Sequence, residues 1–84
     1  MLKRHRDLAW QAIGDELVVM SLADKRVLGL NPAGALLWSL VEEHDEDGLV
    51  AALLERFDTD EAAAREDVRG FLATLVARGL VAEA

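Results

Sequence analysis

The sequence predicts an α+β fold of winged helix-turn-helix-like type: a three-stranded antiparallel sheet followed by three helices. Three observations carry this. The apolar pattern between Leu8 and Leu30 comes in short runs separated by turn residues, as strands do. At Asn31-Pro32 the period changes to that of a helix. Between Ala64 and Val76 the apolar residues fall on one helical stripe, and Gly79 closes it.

Residues 1–6 are polar and expected to be frayed. Leu8 to Ile13 reads as the first strand, and Gly14-Asp15 as a turn. Glu16 to Leu22, rich in Val and Leu, reads as the second strand. Ala23-Asp24-Lys25 is a short connection to a third strand, Arg26 to Leu30. Short strands joined by tight turns predict an antiparallel meander.

Asn31 is a strong N-cap, and Pro32 occupies the first helical position, where its missing N–H costs nothing. Leu36, Leu37, Leu40 and Val41 continue that first helix. The polar run from Glu42 to Gly48 ends it, and Asp45 or Asp47 starts a second helix carrying Leu49, Val50, Leu53, Leu54 and Phe57. Thr59 or Asp60 caps the third, whose stripe is Ala64, Val68, Phe71, Leu72, Leu75 and Val76. Leu80 and Val81 are expected to fold back onto the core. Trp10 and Trp38 are expected as core anchors, the commonest role of a lone Trp.

A chain of 84 residues is expected to form a single domain, 1–84, with one modest core. It has no cysteine, which excludes disulfides, thiolate catalysis and Cys-ligated zinc and suits a cytoplasmic protein. The basic start Lys3-Arg4-His5-Arg6 is not followed by the apolar segment of a signal peptide, and no apolar run is long enough to span a membrane. The formal charge is −7, and it is concentrated: residues 1–44 carry five basic and six acidic side chains, residues 45–84 four and ten. Such a surface repels phosphate backbones and anionic membranes, so neither nucleic acid nor membrane is an expected partner.

Signals for chemistry are weak throughout. His5 and His44 are far apart and lie in polar segments. The acidic run Glu42, Glu43, Asp45, Glu46, Asp47 lacks the ligand spacing of a calcium loop. Ser21 and Ser39 have no nearby His. Gly29 and Gly34 have phosphate-loop spacing, but no Lys-Ser/Thr follows. The expectation is a binding protein with no cofactor, no metal and no catalytic residue. Gly29 within a strand marks a bulge or the close approach of another backbone. Gly70 inside a helix leaves room for a ligand or for the protein's own strand. As a DNA reader the third helix is poorly equipped: it begins Asp60-Glu61 and continues to Glu66-Asp67, where a recognition helix needs Arg, Lys, Asn or Gln.

Leu30-Asn31-Pro32-x-Gly34 leading to Leu37-Trp38, then Asp67-Val68-x-x-Phe71-Leu72-x-x-Leu75, then Gly79-Leu80-Val81, together resemble the PqqD family. These are small peptide chaperones, also called RiPP recognition elements, and the resemblance runs from about Leu8 to Val81. It implies that the leader of a ribosomally made precursor peptide adds a strand beside the third strand and lies in the groove against the third helix. The implied peptide-binding residues are Lys25, Arg26, Val27, Leu28, Gly29 and Leu30 on the strand edge, with Asp67, Gly70, Phe71 and Thr74 on the helix. The implied partners are a precursor (leader) peptide and a peptide-modifying enzyme, such as a radical SAM enzyme or a leader peptidase.

Quinone-cofactor members of that family carry a Tyr-Pro-Glu-Gly-type turn before the third strand and an aromatic residue near the C-terminal Gly. Here the turn is Ala23-Asp24-Lys25 and the end is Gly79-Leu80. That difference favours a lasso-peptide or other modified-peptide pathway. The competing expectations are a general winged-helix interaction adaptor and a degenerate DNA-binding regulator.

Overall fold

The computed structural model describes residues 1–83. The chain runs through β1 (Leu2–Arg4), β2 (Leu8–Ile13), β3 (Glu16–Ser21), β4 (Val27–Leu30), α1 (Pro32–Leu40), α2 (Glu46–Arg56), α3 (Glu61–Ala77) and β5 (Val81–Glu83). The fold is α+β and winged helix-turn-helix-like, with the antiparallel meander β2-β3-β4 ahead of three helices.

Each helix starts where a polar cap stops the preceding segment. Asn31, Asp45 and Asp60 accept, through side-chain oxygens, the backbone N–H groups of Gly34, Gly48 and Ala63. Of the alternatives open in the sequence, Asp45 and Asp60 are the caps. α3 ends as expected at Gly79, whose φ of 71° is the left-handed conformation that glycine adopts without steric cost. Gly79 N–H donates to Val76 and Leu80 N–H to Leu75, the paired bonds of a Schellman cap. That cap turns Leu80 and Val81 inward, and both are buried.

The core has two parts. Leu17, Val19 and Leu30 from the sheet meet Trp38, Val41, Leu75, Leu80 and Val81. Leu37, Leu49, Val50, Leu53, Ala64 and Val68 form the second part among the helices. Phe71 and Leu72 pack against both. α2 is tied to α3 at the surface as well: Arg65 donates to Glu46 at 2.6 Å, to Asp47 at 2.9 Å and to Glu61 at 3.2 Å, and Arg69 reaches Glu46 at 3.0 Å.

Three features differ from the sequence expectation. Leu2–Arg4, read as frayed, form a strand antiparallel to β5 with Leu2 opposite Glu83 and Arg4 opposite Val81. Arg4 holds it there: its guanidinium donates to Glu42 at 3.0 Å and to the Trp38 carbonyl, between the rings of Trp10 and Trp38. Trp10, read as a core anchor, is 45% exposed, whereas Trp38 is 1% exposed. β2 is an edge strand of its sheet, so Trp10 is covered mainly by Arg4 and by an edge-to-face contact with Trp38 at 5.4 Å. Finally, Leu54, Phe57 and Val76 lie at the margins of their stripes and are exposed.

Candidate peptide-binding groove

β4 is the second edge of the three-stranded sheet. Its register against β3 is Leu17 opposite Leu30, Val18 opposite Gly29, Val19 opposite Leu28 and Met20 opposite Val27. Ser21 N–H donates to Arg26 at 2.9 Å, which sets the phase of the ladder. Bonded and non-bonded pairs alternate in an antiparallel ladder, so Leu28 and Leu30 spend both backbone groups on β3, and Arg26 spends its carbonyl there. Val27 and Gly29 therefore direct their N–H and C=O groups away from the sheet, along the free edge. Side chains alternate in the other sense: Leu28 and Leu30 turn toward the core, while Val27 and Gly29 are exposed.

Lys25 and Arg26 precede the strand in a turn. Lys25 has a φ of 61°, an unusual left-handed conformation for a residue with a Cβ. The turn is closed by Lys25 N–H donating to Ser21 at 2.9 Å and Arg26 N–H donating to the Asp24 carboxylate at 3.1 Å. That backbone hydrogen bond from Arg26 is the first cause holding the Asp24 carboxyl below its ordinary pKa, and a side-chain hydrogen bond with Ser21 adds to it.

On α3, Asp67, Gly70, Phe71 and Thr74 follow helical spacing; Asp67 and Phe71 share a hollow with Asn31 just beyond β4, whereas Gly70 and Thr74 line neither of the hollows beside the strand. Asp67, Gly70 and Thr74 are exposed, and Phe71 is half-buried. A Cβ added at Gly70 would meet no heavy atom within 4 Å, and the same is true at Gly29. The space beside Gly70 is thus open, and the protein's own strand does not fill it. Gly34 is different. A Cβ there would lie 3.3 Å from Asn31 Oδ1 and from Leu30 Cβ, and 3.5 Å from the Phe71 ring. The Asn31-Pro32-x-Gly34 turn thereby lets α1 approach Phe71 closely.

Two hollows lie along this groove. One is lined by Val27, Leu28, Arg26, Asp24, Arg78 and Leu80, at the start of β4. The other is lined by Asn31, Ala33, Gly34, Leu37, Asp67 and Phe71, just beyond the end of β4. Arg78 and Leu80 were absent from the residues expected on the groove. The i, i+4, i+7, i+11 spacing of Arg78 from Asp67, Phe71 and Thr74 was the available signal for the first.

The acidic run does structural work. Glu42 binds Arg4, Asp45 caps α2, and Glu46 and Asp47 bind Arg65. Among the described residues no helix is long and apolar enough to cross a membrane.

No curated protein sequence matches the chain. Solved structures with the same fold include TbiB1 in complex with the TbiA(beta) leader peptide, 28% identical, with a TM-score of 0.87 over 98% of this chain and 96% of that one. They also include lasso peptide synthetase B1 complexed with the leader peptide, 14% identical, with a TM-score of 0.84 over 98% of each chain; at that identity the likeness concerns the fold alone. The family model described as Coenzyme PQQ synthesis protein D (PqqD) matches residues 16–81, and the chain belongs to that family.

Proposed function

We propose that this chain binds the leader segment of a ribosomally synthesised precursor peptide by strand addition and presents it to a peptide-modifying enzyme or leader peptidase. It acts as a single recognition unit across residues 1–84 and performs no chemistry itself. The observation that carries this reading is the free edge of β4, where Val27 and Gly29 offer unpaired N–H and C=O groups beside an open groove. A peptide running antiparallel to β4 would satisfy both residues, with no side chain at Gly29 to obstruct it. Alternate peptide side chains would enter the groove against Gly70, Phe71 and Thr74. Leu28 and Leu30 would serve as its floor, with Lys25, Arg26 and Asp67 at its rims. The 28% identical neighbour, whose own complex contains a leader peptide, supports the same reading.

The test is a titration with synthetic leader peptides taken from precursor genes adjacent to this gene. One of them is expected to bind the wild type. Gly29→Pro removes an edge N–H that no internal bond uses, a substitution that edge strands accept. It should weaken binding about tenfold, the order expected for one lost hydrogen bond plus disturbed neighbours, with the circular dichroism spectrum unchanged. Equal affinity for the folded variant would place the peptide elsewhere.

A further inference from the structure

Given the strand-addition reading, on which this inference rests, we propose that the groove also selects the charge order of its peptide. It takes a basic side chain near the N-terminal end of the paired segment and an acidic one four or six residues later.

The two ends of the groove carry opposite charge. Asp67 lines the hollow beyond the end of β4, and Arg78 and Arg26 line the hollow at its start. Among the described residues neither Asp67 nor Arg78 forms an ion pair, whereas Arg65 and Arg69 are engaged by carboxylates. Asp24 also faces the basic hollow, but it is a single carboxylate, tied to the Arg26 backbone, against two guanidinium groups. Its distance to the Arg26 side chain is 3.8 Å, with both groups well exposed. The helix dipole opposes the order weakly: it contributes about half a charge at the end of α3, and Arg78 sits on that end as its cap.

Direction follows from topology. β4 runs from the Arg78 end to the Asp67 end, while α3 runs from Asp67 to Arg78. A peptide antiparallel to β4 is therefore parallel to α3, entering beside Asp67 and leaving beside Arg78. Asp67 and Arg78 are eleven residues apart on the helix, about 16 Å at roughly 1.5 Å per residue. A strand covers that in about five residues at roughly 3.3 Å each. Only alternate side chains face the groove, so the charged pair falls at a spacing of four or six.

The probe is a phage-displayed library of random 12-residue peptides, selected on the full chain and again on the Asp67→Lys/Arg78→Glu double variant. Both positions are exposed, so the variant is expected to fold. Wild-type binders should be enriched for Lys or Arg preceding Asp or Glu by four or six, and the double variant should invert that order. A synthetic binder should bind about five- to tenfold more tightly than its charge-reversed twin in low salt, with the ratio shrinking at high salt. Binders that lose affinity on Gly29→Pro yet show no charge order, or the same order on both proteins, overturn the charge selection alone. Binders indifferent to Gly29→Pro overturn the strand-addition reading. A library that yields no binder overturns both.

Discussion

Arg4 Nη1 lies 3.0 Å from Glu42 Oε1, and this contact joins the third residue pair of the N-terminal strand to the turn that follows α1. The guanidinium is flanked by Trp10 at 5.1 Å and Trp38 at 5.2 Å and is largely shielded from water. Cation–π contact, a charge-assisted hydrogen bond and the bond to the Trp38 carbonyl converge on one side chain. β1 in turn pairs with β5, and His5 N–H donates to Leu80 at 2.9 Å. Leu80 lines the groove, so Arg4 supports the groove from behind.

Arg4→Ala should therefore destabilise the fold by about 1–3 kcal/mol, between the cost of a surface pair and that of a buried one. Arg4→Lys should recover only part, because an ammonium cannot stack between two rings and bond a carboxylate in the same plane. Urea unfolding followed by tryptophan fluorescence measures both. A loss below about 0.5 kcal/mol for Arg4→Ala would show that β1 is not held by this contact.

What was legible in the sequence and what was not divides along physical lines. The turn Asn31-Pro32-x-Gly34 was legible because cap, proline and glycine each have one dominant structural use. The α3 stripe was legible because seventeen residues give the helical period room to repeat. β1 and β5 were not, since three residues carry no usable period and the partners lie at opposite ends of the chain. Trp10 was misplaced because its burial depends on β2 being an edge strand, which is a property of the sheet rather than of the segment. The expected helix residues Asp67, Gly70, Phe71 and Thr74 came from family resemblance; Arg78, which lines the hollow at the start of β4, was not among them although it continues the spacing of Asp67, Phe71 and Thr74.

Leu75 and Phe71 share a stripe but not an environment. Leu75 is fully buried in the sheet-side cluster, while Phe71 bridges both clusters and is half-exposed. Leu75→Ala should cost about 3–4 kcal/mol, and Phe71→Ala about 2–3 kcal/mol, below the range for a fully buried ring. Thermal and urea unfolding give the comparison. A loss below about 1 kcal/mol for either would mean the helix register is wrong.

Acid should loosen the α2–α3 clamp. Hydrogen bonding from Arg65, then Arg69, holds the Glu46 carboxyl below the ordinary glutamate pKa, and the same contacts push Arg65 upward. A carboxylate with a lowered folded pKa contributes stability that is fully present above its unfolded value, near 4.5, and is lost as pH falls through the lower folded value. Glu46→Gln should therefore be less stable than wild type at pH 7, and the difference should close as pH falls below about 4. A difference that stays constant from pH 7 to pH 3 would assign Glu46 no part in acid sensitivity.

The winged helix-turn-helix likeness is not expected to extend to DNA. The first half of α3 carries Glu61, Glu66 and Asp67 after its cap Asp60, and its Arg65 is held by three carboxylates. Fluorescence anisotropy at physiological salt should show no sequence-dependent complex with duplex DNA. Sub-micromolar binding to one duplex over another would sink this expectation.

Gly70 offers a test that leaves the sheet edge untouched. A side chain there would point into open space, since a Cβ meets nothing within 4 Å. Gly70→Ala should stabilise α3 by about 0.5–1 kcal/mol, because an exposed helix interior favours Ala over Gly by that amount. Gly70→Leu should also fold, with a helix at least as stable as the glycine form. On the strand-addition reading, its side chain would compete with the peptide's inward side chains. Melting temperature should therefore rise or hold for both variants, while leader affinity falls sharply for Leu and little for Ala. The opposed responses separate a groove kept empty for a ligand from a glycine kept for folding. If Gly70→Leu binds the leader as tightly as wild type does, the peptide does not pass between β4 and α3.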